Sequence, residues 1–150
     1  MEDHMEWVPH VTVATVVERN GKYLLVEELS NGKLVFNQPA GHLDANESLS
    51  EAAVRETVEE TGWKVQIDGI VGIALYKSPH NQVTYHRTTF FGSAISHDPE
   101  RQLDDGISRA IWMSYDEMQL AAAKMRSHLV LKAVEQYRNG HRYPIDVIYE

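Results

Sequence analysis

A chain of 150 residues, 43% apolar and 24% charged, is long enough for one domain with a buried core. Its formal net charge of −8 argues against binding to polymeric nucleic acid, which requires a basic surface. No stretch approaches the ~18 apolar residues of a membrane span, and the absence of cysteine excludes disulfides, thiolate zinc sites and a cysteine nucleophile.

Met1 to Val8 is too acidic for a signal peptide, so a cytoplasmic location is expected. No repeat, low-complexity stretch or linker divides the chain, and residues 1–150 read as a single domain. Val11 to Val17 is β-branched and predicts a buried strand. Asn20-Gly21 is a hairpin turn signal with Tyr23 to Glu28 as the partner strand, and Asn31-Gly32 a second turn leading into Leu34 to Phe36. Asn37-Gln38-Pro39-Ala40-Gly41 then breaks the pattern; Pro39 restricts Gln38, and Gly41 permits close approach of backbone to an ion or phosphate.

A helix is predicted next. Ser48 and Glu51 form a capping box, and Gly62 stands where a left-handed residue would end the helix. At about 100° per residue, with Leu49 at zero, Glu56 falls near ~340°, Glu60 near ~20° and Glu59 near ~280°. Ala52 and Ala53 point the same way as Leu49, so the glutamates continue a small apolar face. Gathered carboxylates repel one another and either take up protons or bind cations, and an oxygen-rich cluster suits a hard ion such as Mg²⁺. The alternative is a solvated acidic face with an Arg55–Glu59 pair at i,i+4.

Beyond the helix, Lys64 to Ile67 and Gly69 to Tyr76 predict strands, Lys77 to Gln82 a polar loop, and Val83 to Ile95 a long strand. Ser96 to Gly106 is an acidic loop and Ile107 to Met113 a further strand. Tyr115 to Ala123 and His128 to Asn139 predict helices, the second ended by Gly140. Strands around a central helix, with more helices at the end, suggest a mixed α/β sandwich.

The spacing Gly-x5-Glu-x7-Arg-Glu-U-x-Glu-Glu-x-Gly-U, with U a bulky apolar residue, resembles the Nudix box. Gly41, Glu47, Arg55, Glu56, Glu59, Glu60 and Gly62 fill all seven fixed positions. At ordinary residue usage such a match arises by chance on the order of once in 10⁸ to 10⁹ starts. Trp63 serves as the final U, while Thr57 is a smaller, more polar residue at the first, a departure that concerns packing. Around the box, His10 to Ala14, Asn37 to Leu43 and Gly140 to Pro144 resemble the phosphatase NudJ subgroup, extending the similarity from about His10 to Ile148.

The resemblance implies an α/β/α sandwich with a mixed β-sheet and a loop–helix–loop catalytic motif. It implies hydrolysis of nucleoside diphosphate-linked compounds with Mg²⁺, for which Mn²⁺ can substitute. Carried onto this chain, Glu56, Glu59 and Glu60 are the metal ligands, and Glu56 or Glu59 receives the proton of the attacking water. The Ala40 and Gly41 backbone adds a carbonyl, and Glu47 and Arg55 pair to support the loop, with Gly41 and Gly62 fixing the motif's ends. The subgroup likeness implies a phosphatase on nucleoside tri- and diphosphates, and on the thiamin-precursor pyrimidine pyrophosphate, releasing orthophosphate stepwise. A pyrophosphohydrolase of another Nudix substrate (an oxidised nucleotide, a dinucleoside polyphosphate or a nucleotide sugar) and a non-hydrolytic nucleotide sensor are the alternatives. The complete set of box carboxylates argues against the sensor.

Asp104 and Asp105 stand where family enzymes take a further ligand, but Gly106 occupies the subgroup's acidic position, leaving a solvated loop as the alternative. Arg87 is a candidate for gripping a phosphate or for a surface ion pair. His42 is a candidate for substrate contact or a structural hydrogen bond, and Gln38 for substrate contact. Trp7, Tyr76 and Trp112 offer rings for a base or for the core; His10, His128 and His141 are read as structural; Arg142 with Tyr143 as pinning the chain end. The partner expected is a small phosphorylated metabolite or nucleotide, with no membrane and no polymeric nucleic acid.

Overall fold

The structure is a computed structural model that describes residues 6–150. Strand β1 (His10–Arg19) is buried on both faces from Thr12 to Val17, as expected of a β-branched run at the centre of a sheet covered on both sides. It turns through Asn20 and Gly21, both at positive φ, into β2 (Lys22–Ser30). Asn31 and Gly32 repeat the device into β3 (Lys33–Asn37). The break anticipated at residues 37–41 holds only up to Pro39. Ala40–His42 forms a short strand, β4, antiparallel to β1 with Val13 opposite Gly41. A three-residue strand offers too little sequence to show a period.

Helix α1 (Leu49–Thr61) begins at the Ser48–Glu51 capping box and ends at Gly62, whose φ is 73°. The two strands expected next are one, β5 (Trp63–Lys77), kept continuous by register shifts at Lys64/Val65, Ile67/Gly69 and Ile70/Gly72. Bulges let the strand bend while its pairing with β6 (Thr84–His97) continues. The remaining elements are β7 (Ile107–Ser114), α2 (Tyr115–Leu120) and α3 (His128–Arg138). The first of the two predicted terminal helices is shorter than expected: after Leu120 the chain tightens into a 3₁₀ turn at Ala122–Lys124.

The sheet is mixed. β1 runs parallel to β6 and antiparallel to β4, and β5 closes one edge beside β6. β2 continues the sheet through its hairpin with β1 and carries β3 and β7 on its two sides. Alternation along β1 sorts the two cores. Val13 packs with Ala52, Ala53, Ile70 and Phe90 under α1, whereas Val16 joins Tyr23, Leu25 and Val71 beneath Met118, Val130 and Val134 of α2 and α3. This is the expected α/β/α sandwich. Among the described residues, no helix is long and apolar enough to cross a membrane.

Two single residues take their places here. Trp112 meets the edge of Trp63 at 5.5 Å within a third core cluster, and so is packing rather than a free ring. Thr57, the departure within the box, is fully buried and donates its hydroxyl to the Ala53 carbonyl at 2.7 Å, so its polarity is satisfied inside the helix. At the other end of the chain, the Tyr143 backbone exchanges two hydrogen bonds with Ile70, each 2.8 Å, and Arg142 lies over the Tyr137 ring. That pair pins the chain end.

Candidate active site

The C-terminal half of α1 faces a cleft of about 490 Å³ bounded by β4, the ends of β5 and β6, and the start of α3. Arg55 organises the helix side of it. The guanidinium grips Glu47 with two hydrogen bonds, from Nε at 3.0 Å and Nη2 at 2.7 Å, in the fork geometry that suits a carboxylate. Its Nη1 donates to Glu56 at 2.8 Å and to Glu59 at 3.2 Å, and Nη2 also reaches the His42 carbonyl at 3.0 Å. Glu47 in turn accepts the Asp44 N–H at 2.7 Å. One arginine therefore ties the loop before α1 to two glutamates on it. The i,i+4 pair weighed as a sign of a solvated face is present, but Arg55 and Glu59 are both partly buried and share the contact with Glu47 and Glu56.

Glu56, Glu59 and Asp104 each offer an oxygen, and the three atoms lie within 4.8 Å of one another. Asp104 arrives from the acidic loop before β7. Its N–H donates to the Glu59 carbonyl at 3.1 Å, one of the carbonyls left open at the end of α1, and Asp98 N–H does the same for Gly62 at 2.9 Å. Asp105 is exposed and outside the cluster. Glu60 sits beside the cluster, 7% exposed, and accepts the Ala40 N–H at 2.8 Å. Its backbone neighbour Gly41 has no room for a side chain, because a Cβ there would overlap the Glu56 carboxylate.

The electrostatics follow from this crowding. Burial pushes the Glu60 carboxyl up to about 8, against the pull of the Ala40 N–H and with help from the charges of Glu28, Glu56 and Asp104. Burial likewise raises Glu56, opposed by its hydrogen bond from Arg55. Glu47, held chiefly by the Arg55 hydrogen bonds, is lowered. Carboxylates that share a site and resist ionisation fit a divalent cation that would relieve both burial and repulsion, and hard oxygen donors fit Mg²⁺ or Mn²⁺.

The opposite lining was only partly anticipated. Arg87 on β6 is not in a surface pair. It is 9% exposed, donates from Nη2 to Gln38 Oε1 at 2.8 Å, and burial lowers its pKa to about 10. Gln38 is 1% exposed and passes its other end to the Val130 carbonyl of α3 at 2.7 Å, so it holds Arg87 rather than lining the cleft. His42 is exposed at the rim, its Nε2 3.1 Å from His10 Nδ1, with the Tyr85 ring beside both. Burial, then His10, lowers its pKa. Tyr76 lines the cleft and packs on His128, whereas Trp7 is 72% exposed and apart from it. Glu28 on β2 was missed. It is buried, and accepts from Asn37 Nδ2 at 3.2 Å and Arg126 Nη1 at 2.7 Å. Arg126 and Ser127 at the entry to α3 were missed as well. Their spacing from the box carries no local signal; only the strand pairing brings them there.

A family model for the NUDIX domain matches residues 8–134. The chain belongs to the Nudix family. A curated Nudix relative, Phosphatase NudJ of Escherichia coli strain K12, is 41% identical over 140 residues, covering 93% of this chain and 90% of that protein. The solved Nudix hydrolase from Nitrosomonas europaea superposes with a TM-score of 0.93 at 45% identity, covering 95% of this chain and 97% of that one. A MutT Nudix hydrolase from Burkholderia pseudomallei, 21% identical with a TM-score of 0.73 over 86% of this chain and 98% of its own, shares the fold. As a Nudix hydrolase this protein cleaves phosphoric anhydride bonds in small nucleotide-type substrates.

Proposed function

We propose that this Nudix hydrolase is a Mg²⁺-dependent cytoplasmic phosphatase, with Mn²⁺ able to substitute. Its proposed substrates are nucleoside tri- and diphosphates and the thiamin-precursor pyrimidine pyrophosphate. The observation that carries the chemistry is the gathering of Glu56, Glu59 and Asp104 oxygens within 4.8 Å, beside a buried Glu60. Similarity to Phosphatase NudJ over nine-tenths of both chains supports the phosphatase activity.

Glu56, Glu59 and Glu60 would hold the metal, joined by Asp104 and a carbonyl of Ala40 or Gly41. When bound, the metal neutralises phosphate oxygens and acidifies water. The chain's own residues do the rest. Glu56 or Glu59 accepts the proton from the water that attacks phosphorus in line, and the P–O anhydride bond breaks as the new P–O bond forms. Arg55 holds both candidate bases in place from Nη1, so that neither has to be ordered during the reaction. Glu47 fixes Arg55 in turn.

Phosphorus NMR of products from a panel of nucleotides and pyrophosphates tests this reading. Stepwise orthophosphate from a triphosphate is expected. Pyrophosphate release, or cleavage of dinucleotides and nucleotide sugars alone, would make it a pyrophosphohydrolase of another substrate. Nucleotide binding without turnover in Mg²⁺ or Mn²⁺ would make it a sensor. Hydrolysis that survives EDTA, or both Glu59→Gln and Glu60→Gln, would refute the metal mechanism.

A further inference from the structure

Three electropositive features converge on the part of the cleft not formed by α1. Arg87 is nine-tenths buried, no carboxylate pairs with it among the described residues, and its Nε has no hydrogen-bond partner. Arg126 stands just before α3, its guanidinium on Glu28 and half exposed to the cleft. The eleven-residue α3 begins with Ser127 as N-cap, and Ser127 and Leu129 of its first turn line the same cleft. A helix N-terminus carries partial positive charge, which remains here although Ser127 takes the Leu129 N–H on its Oγ at 3.2 Å and the Val130 N–H on its carbonyl at 3.3 Å. Glu28 and Glu60 offset the Arg87 charge only from beyond ion-pair distance, and a guanidinium withdrawn from water in this way is destabilised, a cost that a bound anion would reduce.

These parts are also stitched together. Gln38 links Arg87 to the first turn of α3 through its two amide ends, and the Arg126 N–H donates to the Phe36 carbonyl at 2.8 Å, two residues before Gln38 in the chain. Pre-set donors of this kind bind an anion without being ordered by it. Glu28 and Asn37 hold Arg126 in waiting, and Arg126 keeps further donors beyond the single Nη1 contact with Glu28.

We propose that Arg87, Arg126 and the N-terminus of α3 form an anion seat that grips a substrate phosphate directly, separate from the carboxylate cluster. A substrate would then need at least two phosphoryl groups, one for the cluster and one for the seat, and monophosphates would bind poorly. Gln38 is a positioning residue in this arrangement. That the seated anion is the phosphate beyond the scissile bond rests on the function proposed above; the seat itself does not.

The test is calorimetric titration of the full-length protein with inorganic tripolyphosphate in EDTA, where the carboxylate cluster has no metal. Saturable binding is expected, weakened tenfold or more in Arg126→Gln and in Arg87→Gln. Arg126 is half exposed, and its replacement leaves the buried Glu28 held by Asn37 alone, so thermal melts accompany the titration; if Arg87→Gln fails to fold, Arg126→Gln and Arg87→Lys decide the matter. With a nucleoside triphosphate and Mg²⁺, Arg126→Gln is expected to raise KM at least tenfold and change kcat less than threefold. An arginine that merely pins the loop to Glu28 would move thermal stability and leave tripolyphosphate affinity unchanged. No saturable binding by the wild type, or equal affinity in the variants, overturns the seat. Glu59→Gln separates the two proposals: it should abolish hydrolysis and keep tripolyphosphate binding. If the wild type turns over no nucleotide yet the arginine variants still lose the anion, the phosphatase reading fails and the seat stands.

Discussion

Gly41 lies against the Glu56 carboxylate with no space between them for a methyl group. Its backbone pairs with β1, so neither partner can yield without disturbing the sheet or the cluster. Gly41→Ala is therefore expected to lower kcat/KM by at least about a hundredfold, the loss that a misplacement of roughly 1 Å produces. Steady-state kinetics alongside circular dichroism would check that the fold persists. Glu60 makes a different prediction, about pH. Its carboxyl titrates at about 8 in the folded chain, above the ordinary 4.5, because it is buried. A carboxyl raised on folding stabilises the native state below its unfolded pKa, and that contribution disappears as pH rises through the folded value. In EDTA, Glu60→Gln should match the wild type in melting temperature near pH 4.5 and become progressively more stable than it up to about pH 9. A gap that stays constant or reverses over that range would show that Glu60 ionises freely.

Helix α1 and the loop at residues 98–106 form the site jointly. Asp98 N–H caps Gly62 and Asp104 N–H caps Glu59, so the contacts that satisfy the end of the helix also deliver the Asp104 carboxylate. Gly62 is the hinge of that arrangement, at φ 73° with a Cβ position only 2.7 Å from the Asp98 carbonyl. Gly62→Ala should cost about 1–2 kcal/mol from left-handed strain alone, a drop of roughly 2–8 °C for a chain of this size. It should weaken metal binding as well, because the loop shifts. Asp104→Asn separates the two effects. It keeps the backbone contact with Glu59, so the melting temperature should hold, while Mg²⁺ affinity by calorimetry falls about tenfold or more, at least the range found for supporting groups around a metal. Unchanged affinity in Asp104→Asn would mean that the acid is only a neighbour of the site.

At the scale of the whole molecule, what could be read in advance was what lies within one helix or one turn. The capping box, Gly62 and the glutamate face of α1 are local, and their spacing stated both the helix and its chemistry. β4 was too short to show a period, and β5 was divided at Asp68, where a register shift between Ile67 and Gly69 carries the strand through. The Arg126–Glu28 pair joins residues 98 apart, and no pattern along the chain records such a meeting. Asp104 was visible as an acid in the right loop, but its hydrogen bond to Glu59 and its place in the carboxylate cluster, which distinguish it from Asp105, were not. The same long-range assembly couples metal, protons and stability. Burial raises both Glu56 and Glu60, the latter to about 8, so the proposed metal binding is expected to displace a proton from Glu60 and to tighten as pH rises. At a Mg²⁺ concentration of 100 times its Kd the folded state gains about 2.7 kcal/mol, or roughly 5–10 °C in melting temperature for 150 residues. At a fixed total Mg²⁺ the rise should be larger at pH 8.5 than at pH 6, and should shrink in Glu60→Gln. Thermal melts at the two pH values, with Mg²⁺ or with EDTA, would measure it. A shift independent of pH would mean that the metal meets carboxylates already ionised, and that burial of Glu60 plays no part in its affinity.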